Sequence, residues 1–142
     1  MKRGGPDREA GSATIFVIGF TVILLAMAGL VVDGGLALNA RQRAADDVEQ
    51  AARAGSQHLD MQLLRDKGVV QIDQTGAAAD AATAFLQSRG GYYNIQVSAD
   101  GNQLQVKATT TQRTTLLSLI FIKDFTITAT GQARPAVGNA AP

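Results

Sequence analysis

The sequence predicts an α+β protein led by a membrane helix, on three observations: a long uncharged apolar run, a small-residue stripe of period 3.6 behind it, and a switch to period 2 in the second half. Ala13 to Val32, ATIFVIGFTVILLAMAGLVV, has no charged residue over 20 positions. At about 1.5 Å per residue such a helix covers about 30 Å, the hydrocarbon thickness of a bilayer. A helix buried in a soluble core usually carries a polar stripe and shorter apolar runs. The expected architecture is an N-terminal transmembrane helix continuing into a long amphipathic helix, a second short helix, and a three-stranded antiparallel sheet.

Composition narrows the function classes. Thirteen basic and twelve acidic residues leave a formal charge of +1, which gives no electrostatic footprint for nucleic acid. With no cysteine, thiolate zinc sites, iron–sulfur clusters and thiol nucleophiles are excluded. The chain divides into a cytoplasmic leader (1–11), a transmembrane helix (12–33), an extracytoplasmic α+β head (34–134) and a disordered tail (135–142). Lys2, Arg3 and Arg8 precede the apolar run, and Arg41 and Arg43 follow it. That bias favours a single pass in the cell membrane, with the N-terminus cytoplasmic and the head outside. A cleaved secretory signal competes with this reading, since Ala26-Met27-Ala28 before Gly29 has the small-x-small form of a signal-peptidase site. Release after Ala28 would make the head a secreted small binding module.

Asp33 is expected at the headgroups as the outer boundary of the span, because an aspartate at mid-bilayer costs about 2.5 to 3.5 kcal/mol. Gly34 and Gly35 offer a bend where the helix leaves the lipid. Beyond them Ala37, Ala44, Val48, Ala51, Gly55, Leu59 and Leu63 form the apolar stripe of a helix that Gly68 would stop. Its side chains are small, so a partner must approach closely. The stripe can pack on the protein's own sheet or on neighbouring helices, and the sheet's need for cover favours the first. Val69 to Asp73 reads as strand or loop. Asp73 or Thr75 can cap a helix over Gly76 to Arg89 whose inner face is Ala78, Ala82, Phe85 and Leu86.

From Tyr92 the pattern alternates. Tyr93, Ile95, Val97 and Ala99 form one face, and Leu104, Val106 and Ala108 form another across Asp100-Gly101. A two-residue Asp-Gly turn would pair Ala99 with Asn102, Val97 with Leu104, Ile95 with Val106 and Tyr93 with Ala108. A third strand, Phe125 to Arg134, turns Phe125, Ile127, Ala129 and Ala133 inward. Between strands two and three, LLSLIFI (Leu116 to Ile122) is too short to span a bilayer; it is either core or a greasy surface, and core is preferred.

No catalytic constellation is present, so the expectation is a protein that works by binding, without cofactor or metal and not as an enzyme. His58 is the single histidine and is expected in solvent. Asp46, Asp47, Glu49 and Asp60 interleave with Arg43 and Arg53 and read as a solvated face. Neither Gly34-Gly35 nor Gly90-Gly91 continues as a phosphate loop.

The segment DREAGSATIFVIGFTVILLAMAGLVVDGGLALNARQRAADDVEQAARAGSQ resembles the N-terminal region of TadE/TadG-like proteins of the Tad (Flp) pilus-assembly family, actinobacterial type. The positions that carry it are Arg8, Gly11, Ser12, Ala13, Asp33, Gly34, Gly35, Arg41, Ala45, Asp46, Ala51, Ala52, Ala54 and Gly55. TTLLSLIFIKDFTITATGQARPAVG also looks like the family's ending. The resemblance implies a pilin-like head on a membrane anchor, a minor pilin or pseudopilin-like structural or accessory component. It implies as partners the lipid bilayer and other pilin-like subunits, copies of itself included, or secretion-apparatus proteins. It also makes Gly11 and Ser12 a candidate processing site. Pilins processed there usually carry a glutamate a few residues on. Counting from Ser12, the fifth position is Phe16, which favours an uncleaved, permanently anchored accessory protein.

Overall fold

In the computed structural model, which describes residues 8–100 and 102–136, the chain is α+β. Helix α1 spans Arg8–Ser56, α2 Met61–Lys67 and α3 Ala77–Arg89; strands β1 (Tyr92–Asp100), β2 (Gln103–Arg113) and β3 (Asp124–Ala133) follow, with a short 3₁₀ turn at Leu117–Ile120. The sequence ahead of Arg8, Gly101 and the tail beyond residue 136 lie outside the described residues.

The apolar run and the small-residue stripe belong to one unbroken helix of 49 residues. Gly34 and Gly35 do not interrupt it, and a Cβ at either would meet nothing within 4 Å. Helix formers on both sides outweigh the roughly 1 kcal/mol that each glycine costs. The expected continuation to Gly68 is broken earlier. Ser56 turns its Oγ back to the Arg53 carbonyl, and the Asp60 carboxylate accepts from the amides of Gln62 and Leu63 to cap a separate helix. Gly68, at φ 64°, closes that helix as expected. The ambiguous segment after it contributes a single antiparallel bridge, Leu59 with Ile72.

Helix α3 starts after Gly76. Asp73 accepts from the Thr75 amide and hydroxyl just before it, and these bonds, the hydroxyl's foremost, hold its carboxyl below the usual range. The inner face of α3 is Ala78, Ala82 and Leu86, with Phe85 half-buried.

The three strands pair antiparallel in the order β1-β2-β3. The hairpin register differs from the expected one by two residues: Asp100 pairs with Gln103, Ala99 with Leu104 and Val97 with Val106. A slip of two keeps every side chain on its face, so the apolar matching that argued for the expected register holds equally in the real one. The other departure does change a face. Between Tyr93–Thr109 and Gln96–Lys107 the ladder shifts by one residue at a bulge where Asn94 adopts φ 51°. Tyr92 thereby joins Ile95, Val97 and Ala99 on the inner face, and Tyr93 points out to the Thr111 hydroxyl. The strand-three faces are as expected, with Ile127 and Ala129 buried.

The core lies between the sheet and the helices. Val48, Ala51 and Ala52 of α1 and Leu86 of α3 meet Leu104, Val106, Ala108, Ile127 and Ala129, all buried. Leu116 to Ile122 is not core: Leu117 is buried, but Leu119 and Phe121 are 79% and 89% exposed. A short apolar run is ambiguous by composition. Here the sheet's inner face is already filled by α1 and α3, which leaves this loop outside.

Candidate membrane and packing surfaces

Helix α1 carries two surfaces of opposite kind. From Ile15 to Val32 its large side chains stand exposed all round, Ile15 at 75% and Val31 at 76%. Among the described residues this is one helix long and apolar enough to cross a membrane. From Ala44 to Ser56 one face is sealed.

The seal is built on small residues. Of the stripe, Ala44, Val48, Ala51 and Gly55 are buried, and Ala37 is half-buried below the head. A Cβ on Gly131 of β3 would lie 2.7 Å from the Glu49 amide nitrogen and 2.8 Å from the Val48 carbonyl carbon, so the helix backbone rests directly on the strand. A Cβ on Gly55 would strike Leu104 and come within 2.5 Å of the Ala78 carbonyl oxygen. The stripe is thus occupied by the protein's own β2, β3 and α3.

Polar ties lock the same packing. The Tyr92 hydroxyl donates to Asp47 Oδ2 at 2.7 Å, and Arg89 Nε lies 3.5 Å from Asp47 Oδ1, joining α1, α3 and β1. Burial first, and then the Asp47 carboxylate, push the Tyr92 hydroxyl well above the ordinary tyrosine range. Asp47 departs from the solvated face expected for it: it is half-buried, because Tyr92 turns inward past the bulge. Asp60 is a helix cap, whereas Asp46 and Glu49 are exposed as expected. His58 is exposed, its carbonyl accepting from the Asp73 amide at 2.8 Å. No group of three His, Cys, Asp or Glu side chains among the described residues converges on a metal-sized point.

Asp33 is the residue whose role the sequence did not disclose. It is 1% exposed. Its Oδ1 accepts from the Thr115 amide at 2.8 Å, and its Oδ2 from the amides of Leu116 and Leu117 at 2.9 and 2.6 Å. The carboxylate caps the first turn of the exposed apolar loop, 82 to 84 residues away in sequence. Above it Gly29 is buried, and a Cβ there would lie 3.2 Å from Leu116 Cβ. Two apolar grooves flank the contact. One, of about 280 Å³, runs past Val22, Leu25 and Leu119; the other, of about 400 Å³, passes Met27, Leu30 and Ile122. The signal in the sequence is a second apolar run that follows neither period, and it calls for a partner outside the sheet.

Gly11 and Ser12 lie inside the first turns of α1, which begins at Arg8. Neither a curated protein nor a solved structure matches the chain. Residues 11–58, which hold the whole apolar run, Asp33 and the stripe as far as Gly55, match the Tad family model, described as "Putative Flp pilus-assembly TadE/G-like", and this supports a Tad/Flp pilus-related component.

Proposed function

We propose that this protein is a membrane-anchored structural or accessory component of a Tad/Flp pilus or a related secretion apparatus, minor-pilin or pseudopilin-like, whose head lies outside the cell. One observation carries the reading. The helix that is apolar and exposed in its first half is, without interruption, the spine of the head in its second half, and the family match covers both halves and their junction. Such a part works by holding a folded head at a fixed height above the bilayer, where it meets other pilin-like subunits or apparatus proteins. Release of the head after Ala28 is disfavoured, because that cut would fall inside α1 next to Gly29, on which Leu116 rests.

The chain has no cysteine, so single cysteines report topology cleanly. Thr130→Cys, on the outer sheet face, should react with an impermeant maleimide on intact cells, and Lys2→Cys only after permeabilisation. Labelling of Lys2→Cys alone on intact cells reverses the orientation, and equal labelling of both removes the anchor. N-terminal sequencing of the same membranes should find no start at Ser12; that start would mean processing as a pseudopilin, and a start at Gly29 a secreted head.

A further inference from the structure

We propose that the loop Leu116–Ile122 is a second membrane contact, inserted among the acyl chains of the leaflet on the head's side; the proposal rests on the reading of α1 as a membrane anchor. Leu119 and Phe121 are the most exposed large apolar side chains of the head. In water they would form an apolar patch of the kind that marks an interaction site. The position of the patch names the partner. Its root packs on Gly29, which at about 1.5 Å per residue lies about 5 Å inside the end of the apolar run at Val32. The helix side chains at that level, Met27, Leu30 and Val31, are themselves exposed and apolar. Loop and helix therefore form one continuous apolar collar, with grooves between them open to lipid.

Irregular backbone enters hydrocarbon only when its polar groups are satisfied. Most amides of this loop meet that demand. Asp33 takes the amides of Thr115, Leu116 and Leu117; the amides of Leu119, Phe121 and Ile122 bond to the Leu116, Ser118 and Leu117 carbonyls, and that of Thr114 to the Lys123 carbonyl. The exchange is mutual, since a carboxylate that is 1% exposed needs donors that water cannot supply. With the charge of Asp33 turned inward, the first exposed charge beyond the apolar run is Arg41, and Leu38, 67% exposed, extends the lipid-facing side of α1. Arg113, Lys123 and Asp124 bracket the loop at its base, the level of the headgroups. A head pinned by both helix and loop cannot swivel about α1, so the sheet is presented in one orientation.

The chain has no tryptophan, so Phe121→Trp is a single reporter in the full-length protein. The variant is reconstituted at high dilution into phosphatidylcholine–phosphatidylglycerol vesicles with bromines near the headgroup end of the acyl chains. In separate single-tryptophan variants, Leu24→Trp reports the anchor and Gln105→Trp the outer sheet face. The loop indole should emit to the blue and be quenched severalfold, the anchor indole should also be quenched by bromines set deeper, and the sheet indole should not. A quenched anchor indole with an unquenched loop indole overturns the loop insertion while the anchor stands; loss of quenching at both overturns the anchor itself. A blue, unquenched loop indole whose shift vanishes on dilution assigns the patch to a second copy and overturns the proposal. In the Asp33→Ala background the quenching of the loop indole should fall and that of the anchor indole should not. Full quenching retained at the loop overturns the part given to Asp33.

Discussion

The two halves of α1 share one backbone and present surfaces of opposite kind. Leu24, near the middle of the first half, is 50% exposed within an apolar surface, whereas Val48 in the second half is fully buried among small neighbours. Both are apolar residues in a helix; what differs is what covers them. The first half exposes large side chains, which suit a lipid as apolar as they are and need no matching shape. The second half offers alanine and glycine to a β-sheet, where close approach is the whole basis of contact. Hydrophobicity thus marks both halves, and side-chain size separates them.

The widest separation comes from a charge placed in each half. Val48→Asp puts an unpaired carboxylate into the core and should cost several kcal/mol, enough to unfold a domain of ordinary stability. Leu24→Asp should leave the head folded and instead weaken insertion by about 2.5 to 3.5 kcal/mol. Urea denaturation of the head in detergent and a membrane-partition assay read the two effects. If Leu24→Asp unfolds the head as readily as Val48→Asp, the halves are not independent.

Glycines sharpen the contrast with opposite signs. Gly55→Ala forces Leu104 and the Ala78 carbonyl away and should destabilise by about 1 to 3 kcal/mol. Gly34→Ala meets nothing within 4 Å and should gain about 0.5 to 1 kcal/mol of helix stability. Urea midpoints of the two variants moving in the same direction would break the account.

The smallest effect lies outside α1 and tests whether the head titrates apart from its anchor. The carboxyl of Asp73 is held below its ordinary value of 3.8, so the bond from Thr75 adds stability above that pH, and the contribution is lost as pH falls through the lower folded value. Asp73→Asn should melt below the parent near pH about 6, where the parent carboxylate is fully ionised, and the gap should close in the acid range. A gap that widens on acidification contradicts this assignment.

Much of the architecture was legible in residue patterns, since period and length are local properties. The apolar run, the small-residue stripe, the inner face of α3 and the alternating strands follow from which face each side chain takes. The hairpin shows the limit of such reading: faces constrain register only modulo two, so the expected register and the observed one satisfied the same pattern. The bulge at Asn94 escaped because one residue in the left-handed region leaves no periodic trace, yet it exchanges Tyr92 for Tyr93 and thereby makes Asp47 a half-buried partner.

By itself the sequence determined that a membrane-length helix precedes an α+β head, that the stripe on the helix must be approached closely, and that a Tad-like segment spans their junction. Only the tertiary structure decided that Gly131 and Gly55 are where that approach happens, that LLSLIFI lies outside the core, and that Asp33 reaches across 82 residues and more to cap it. The reason is physical. A helix or strand is specified by neighbours along the chain, but the partner of a buried carboxylate and the cover of an apolar loop depend on which surfaces remain once the sheet and helices have filled one another.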